Sequence, residues 1–162
     1  MDSPTVTVNI SSTEDLEPPS TYAATDVVAY TIKSVSSHSA CSVDLHFCDA
    51  ETITQANGQF RDKPRPTNVL SFPSDMGEES WAHLLAEEAL VNELGSIMMC
   101  LPVIEQEAVE FGLSVEQRLA HLTVHATLHL LGYDHETPEH AAHMEALESQ
   151  ILLALNYKDP WA

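Results

Sequence analysis

The stretch HLTVHATLHLLGYDH, residues 121–135, places four histidines in an otherwise apolar segment that is typical of a buried helix. His125 and His129 are one helical turn apart, so their imidazoles can reach the same point. Gly132 is expected to end the helix in a left-handed conformation, and the turn brings His135 back toward that point. Three imidazoles arranged in this way leave a fourth tetrahedral position open. The spacing therefore predicts a three-histidine metal site.

The same spacing, glycine included, occurs in the metzincin metalloprotease motif H-E-x-x-H-x-x-G-x-x-H. The glutamate that acts as general base in that motif is replaced here by Ala126. The site is therefore expected to bind a metal but not to work as a peptidase. A site centred on His121 would leave His135 out of reach, so we predict that His121 supports the site or packs in the core.

Length and composition favour one domain without a membrane span. The chain has 162 residues, and no apolar run approaches the roughly 20 residues of a membrane helix. Its start, MDSPTVTVNI, lacks the basic and apolar regions of a secretory signal. Cys41, Cys48 and Cys100 are odd in number and lack CxxC spacing, which indicates reduced thiols. We expect a cytoplasmic protein.

The charge distribution is uneven. The formal net charge is −19, which argues against a general nucleic-acid binder because the mean field repels phosphate. Three of the six basic residues nevertheless fall within RDKPR, residues 61–65. This segment is either a local site for a polyanion or a solvated loop, and the charge alone does not decide between them.

The periodicity of the chain predicts interspersed strands and helices, and therefore an α+β fold. Asp49, Ser114 and Thr137 are predicted to cap the N-termini of three helices. Gln117 is predicted to complete a capping box with Ser114. Pro102 is expected to end a strand, and the acidic segment 74–93 fits either a helix or a loop. Strands are predicted at 6–10, 41–49, 67–72 and 94–101, and helices at 21–35, 50–60, 103–112, 114–132 and 137–157.

Separated motifs carry a family resemblance. HATLHLLGYDH (125–135), KPRPTNVLSFP (63–73), the strand containing Gly95 and LESQILLALNYKDPW (147–161) occur in this order. Together they resemble the YbeY family of bacterial rRNA maturation factors. The resemblance covers the chain from about residue 40 onward, and the part before it matches only in layout.

The resemblance implies a single metal-dependent ribonuclease domain over residues 1–162, with a small mixed β-sheet, about five helices and a three-histidine metal cleft. It implies one zinc ion held by His125, His129 and His135, although imidazole ligands suit nickel as well. The implied function is single-strand-specific endoribonuclease activity in 16S rRNA 3′-end maturation and small-subunit quality control. The implied partners are the ribosomal RNA precursor, the small ribosomal subunit and its assembly proteins, with no DNA and no membrane.

The functional arginine of the family, carried over by motif, falls on Arg61. Lys63 and Arg65 are then predicted to bind the RNA substrate. The sequence departs from the family at two positions: Ala126 replaces a usual glycine, and Ser96 replaces the aspartate of a usual Gly-Asp pair. Because Ser96 has no carboxylate, any role that the family's aspartate has at this position cannot be carried over to this sequence.

Two other functions remain open on the sequence. One is a metal-dependent hydrolase of another substrate, which the absence of a glutamate at Ala126 disfavours for peptides. The other is a non-catalytic ribosome assembly factor with a structural metal. Structural zinc sites usually have four protein ligands, so a three-histidine site with an open position favours catalysis.

Overall fold

The computed structural model describes residues 5–13, 15–36, 40–74 and 92–161. Within these residues, four strands and five helices alternate irregularly, which confirms the predicted α+β class. The strands are β1 (Thr5–Ser12), β2 (Ala40–Cys48), β3 (Val69–Pro73) and β4 (Asn92–Cys100). The helices are α1 (Ala24–Val35), α2 (Ala50–Arg61), α3 (Leu101–Phe111), α4 (Val115–Leu130) and α5 (Pro138–Ala154).

The four strands form one mixed sheet in the order β1-β2-β4-β3. β1 and β4 pair in parallel with β2, and β3 pairs antiparallel with β4 at the edge. Pro73 ends β3, which agrees with the preference of proline for edge strands. The strand predicted at 41–49 is confirmed as β2, and its alternating residues Val43, Leu45 and Phe47 are buried.

Helix α4 lies in the middle of the fold and contacts α1, α3, α5 and the sheet strands β3 and β4. It is buried on most of its circumference, which explains why its sequence shows no clear polar face. Thr123, near its centre, hydrogen-bonds to the hydroxyl of the buried Tyr22. The histidine helix is therefore fixed by packing on several sides.

Most predicted helix ends are confirmed. Asp49, Ser114 and Thr137 each accept a hydrogen bond from the backbone N–H three residues further on. Gly132 has the expected positive φ angle, at 97°, and Gly112 after α3 also has a positive φ, at 68°.

Two details of these ends differ from the prediction. The capping box is wrong, because the Gln117 amide bonds to the backbone N and O of Lys158, both at 3.0 Å, and does not return to Ser114. Strand β4 ends at Cys100, so Pro102 does not end it. Pro102 instead lies in the first turn of α3, where backbone N–H groups have no partner within the helix and a proline is tolerated.

Gly95 in β4 occupies a place that only glycine fits. Its φ is +142°, and an added Cβ would lie 2.3 Å from the carbonyl oxygen of Phe72 on β3. The register between β2 and β4 shifts at this point. The glycine thus permits the close approach of β3, the strand that borders the histidine helix.

Of the ambiguous acidic segment, residues 75–91 lie outside the described residues. Cys41, Cys48 and Cys100 are buried free thiols, which agrees with the prediction of reduced cysteines. No helix in the described part of the chain is long and apolar enough to cross a membrane.

Candidate metal centre

The three predicted ligand residues lie together at one end of α4. His125 and His129 come from its last turns, and His135 comes from the loop that follows Gly132. One nitrogen atom from each of the three imidazoles lies within 4.8 Å of the others. The Nε2 atoms of His125 and His129 are 3.1 Å apart. This spacing brings three nitrogen donors to one point.

The ring nitrogen of His129 that points away from the other two histidines, Nδ1, is hydrogen-bonded to the backbone. It lies 2.9 Å from the carbonyl oxygen of Tyr133, so Nδ1–H donates and Nε2 carries the lone pair. Burial, together with the smaller effects of the neighbouring His125 and His135, lowers the pKa of His129 to about 4. The imidazole is therefore neutral at neutral pH, which is the form that ligates metals.

The outer nitrogen of His125 is held by Glu148 of α5. The Glu148 side chain is only 1% exposed, and its Oε2 lies 2.7 Å from Nδ1 of His125. Its Oε1 accepts from Nε2 of His121 at 2.8 Å and from the indole N–H of Trp161 at 3.0 Å. Burial alone would raise the pKa of Glu148, but the hydrogen bonds from the two histidines outweigh it and lower the pKa to about 2.

The donor set fits a divalent metal. In the described residues, the only ion-pair partners of Glu148 are His121 and His125, so no lysine or arginine balances its buried charge. A cation held by His125 would supply that balance. The carboxylate–histidine contact also has the form that orients metal ligands in many proteins.

Glu148 was not predicted from the sequence, although a signal for it was present. Met144, Ile151 and Leu152 share its buried helix face, so a glutamate stands at a core position. A carboxylate at such a position requires hydrogen-bonding partners. His121, predicted to support the site or pack in the core, supports it through this carboxylate.

The predicted basic residues line the same cleft as the histidines. Arg61 is the last residue of α2, and Lys63 and Arg65 lie in the loop toward β3. This basic cleft, as we call it, measures about 540 Å³. Its walls include the three histidines, the three basic residues and the polar side chains Asn57, Asn68, Ser71, Asp134 and Glu136.

Hydrogen bonds connect the basic loop to the rest of the fold. The side-chain amide of the buried Asn57 donates to the carbonyl of Arg65 at 2.9 Å, and the backbone carbonyl of Asn57 accepts from the N–H of Lys63 at 3.1 Å. Arg61 Nη2 lies 3.4 Å from the carbonyl oxygen of Ser71. The Ser71 hydroxyl in turn donates to the carbonyl of Ala126, beside the first histidine of the group.

The two departures from the family pattern lie in different surroundings. Ala126 is fully buried in α4, where its small side chain fits the core. Ser96 pairs with Phe72 across β3 and β4 and is not among the described residues that line the basic cleft.

Comparisons with known proteins identify the family of this chain. The family model for Endoribonuclease YbeY matches residues 8–156. The Endoribonuclease YbeY of Acinetobacter baumannii is 44% identical over 136 residues, which are 83% of this chain and 83% of that protein. That of Corynebacterium jeikeium is 40% identical over 127 residues, or 78% of this chain and 70% of that protein.

A solved structure supports the fold. The solution structure of a Thermotoga maritima protein superposes with a TM-score of 0.54 at 23% identity, and the match covers 92% of this chain and 91% of that one. The resemblance inferred from the separated motifs is thus confirmed over nearly the whole length. The chain belongs to the YbeY endoribonuclease family.

Proposed function

We propose that this protein is a metal-dependent, single-strand-specific endoribonuclease that acts in 16S rRNA 3′-end maturation and small-subunit quality control. The observation that carries the proposal is that one cleft joins the three-histidine group to Arg61, Lys63 and Arg65. Relatives named Endoribonuclease YbeY at 40–44% identity support the reaction. Residues 1–162 would form one ribonuclease domain.

We assign the metal to His125, His129 and His135, and we favour zinc over nickel because three imidazoles with an open position are typical of catalytic zinc. When bound, such an ion supplies Lewis acidity toward water and toward a phosphoryl oxygen. Glu148 and the Tyr133 carbonyl hold the protons of two ligand imidazoles on their outer nitrogens. The inner nitrogens are thereby kept free to bind the ion.

We assign Arg61 to the charge of the scissile phosphate. A guanidinium can contact two phosphate oxygens at once, which a lysine ammonium does not do in a fixed geometry. Lys63 and Arg65 line the same cleft and would attract the RNA backbone. Because the protein as a whole carries a net charge of −19, free RNA should bind weakly, and proteins of the small subunit would supply further affinity.

The two alternatives predict different results. A hydrolase of another substrate would not need three cationic side chains in the basic cleft. A structural metal would be expected to have a fourth protein ligand. Among the described residues, the group contains three histidines and no further His, Cys, Asp or Glu.

The test uses purified protein and an RNA that spans the 3′ end of the 16S precursor. We expect cleavage in its single-stranded part by the wild type, and loss of both cleavage and bound metal in His129→Ala. His46→Ala is the matched control, since His46 lies on β2 and contacts Ser11 and Thr13 of the β1 region. Cleavage by His129→Ala at the wild-type rate would show that the metal is structural or the nuclease assignment wrong.

A further inference from the structure

A second cleft opens beside the three histidines. It measures about 330 Å³ and shares His125 and His135 with the basic cleft. Its other walls come from α5 and the C-terminal segment: Ala141, Met144, Glu145, Glu148 and Trp161. We call it the α5 cleft. A group held at the histidines therefore borders two clefts at once.

The two clefts differ in charge. The α5 residues of the second cleft are spaced i, i+3, i+4 and i+7, so they form one face of that helix. No lysine or arginine is among its described lining residues, and two of them, Glu145 and Glu148, are acids. The basic cleft has three cations in its wall. Phosphate is therefore favoured in the basic cleft and repelled from the α5 cleft.

Trp161 gives the α5 cleft a fixed aromatic surface. Its indole N–H donates to Glu148, its backbone N–H donates to Asp159 at 2.9 Å, and its ring contacts His121 edge to face. The residue nevertheless remains 50% exposed. An aromatic ring that is held in place and still accessible is suited to stacking against a planar ligand.

Glu145 adds a free acceptor to the wall of the same cleft. It is partly buried, and within the described part of the chain its carboxylate has no hydrogen bond or ion pair. A carboxylate accepts hydrogen bonds from N–H groups such as those on the edges of nucleobases. A planar ring with an N–H edge would therefore satisfy both Trp161 and Glu145.

We propose that the α5 cleft binds one unpaired nucleobase of the RNA, next to the phosphate that lies at the three histidines. This inference rests on the proposed nuclease function and gives it a structural basis for strand selection. The base stacks on Trp161 and donates an N–H to Glu145. A base that is paired and stacked within a duplex cannot enter such a cleft, so a single strand is required.

The cleft can be filled without changing any ligand or charged group. Ala141→Leu places a larger side chain in the α5 cleft, whereas Ala142→Leu makes the same change at the neighbouring exposed position, which does not line it. The probe is a short single-stranded oligonucleotide with 2′-O-methyl riboses, checked for integrity after titration. We expect Ala141→Leu to weaken its binding roughly 10-fold, the size of one lost stacking interaction, and Ala142→Leu to leave it unchanged. Metal content should be equal in both variants.

Tryptophan fluorescence gives a second readout. The chain has two tryptophans, so Trp81→Phe leaves Trp161 as the sole emitter. We expect the oligonucleotide to quench Trp161, and the same strand with an abasic residue beside the histidine-bound phosphate to quench it far less. The phosphates are identical in the two strands, so the difference reports the base alone.

The outcomes separate this proposal from the nuclease assignment. Equal binding of abasic and intact strands, or equal affinity of Ala141→Leu and Ala142→Leu, would overturn the base site even if cleavage proceeds normally. Base-dependent quenching of Trp161 in a protein that cleaves no RNA would support the base site and count against the nuclease. Weaker binding accompanied by metal loss in Ala141→Leu would also overturn it, because the substitution would then act through the metal centre.

Discussion

The carboxylate of Glu148 lies 2.7 Å from Nδ1 of His125, inside the contact between α5 and α4. The two residues are 23 positions apart in the chain. The contact fixes which nitrogen of His125 carries the proton and turns the other toward His129. It also connects the three-histidine group to His121 and Trp161, which bond to the same carboxylate.

Glu148→Gln should weaken metal binding. Glutamine keeps the size of the side chain but removes the buried negative charge that makes His125 a stronger ligand. Changes to such supporting groups typically cost 10- to 100-fold in metal affinity, and we expect a loss in that range. The measurement is a chelator competition with the purified protein, compared with Glu139→Gln at an exposed position of the same helix. Equal affinities of the two variants would contradict the role assigned to Glu148.

Replacing a ligand should have a larger effect than replacing a supporting residue. We expect one metal ion per chain in the wild type, and strong loss of metal in His125→Ala, His129→Ala and His135→Ala. His121→Ala removes one donor to Glu148 but no ligand nitrogen, so it should keep the one-to-one stoichiometry. Metal analysis of proteins purified in parallel checks this prediction. Metal loss from His121→Ala as complete as from His129→Ala would mean that the wrong three residues were chosen.

The three-histidine group could be predicted because its geometry is local. His125, His129 and His135 lie within one helix end and the turn after it, and helical spacing determines where the first two point. Glu148 could not be placed in the same way, since its contact with His125 depends on how α5 packs against α4. Its burial could be inferred from the helix face, but its partner could not.

Gln117 shows how tertiary contacts override a local pattern. The sequence Ser114-x-x-Gln117 fits a capping box, and Ser114 does cap the helix. The Gln117 amide instead satisfies both backbone groups of Lys158, which local sequence cannot anticipate. The position of β4 between β2 and β3 is likewise a long-range choice, because the strands were predicted without their neighbours.

Gly95→Ala should destabilise the protein strongly. The new Cβ would meet the Phe72 carbonyl at 2.3 Å, and the φ of +142° is strained for any residue with a side chain. Overpacking and backbone strain together should cost about 3 kcal/mol or more. Gly112→Ala is the control, since its φ is also positive but no atom lies within 4 Å of the added Cβ. We expect about 1–2 kcal/mol for the control, measured by urea unfolding. Similar losses for both variants would show that β3 does not approach β4 as closely as described.

Arg61→Ala should separate catalysis from folding. Arg61 is exposed, and its one described hydrogen bond, to the Ser71 carbonyl, is long at 3.4 Å. Its loss should therefore change the free energy of unfolding by no more than about 0.5 kcal/mol and leave the metal content unchanged. RNA cleavage should nevertheless fall sharply, because the phosphate loses its guanidinium partner.

Three further variants decide whether the guanidinium itself or only the local charge matters. Arg61→Lys should not restore full cleavage, since lysine lacks the planar pair of donors. Lys63→Ala and Arg65→Ala should weaken binding in a salt-dependent way and affect the bound-state rate much less. Lys33→Ala, an exposed change in α1, is the control for general charge. If Arg61→Ala cleaves the 16S 3′ end at the wild-type rate, the role assigned to Arg61 is wrong, and residues 61–65 are a solvated basic loop.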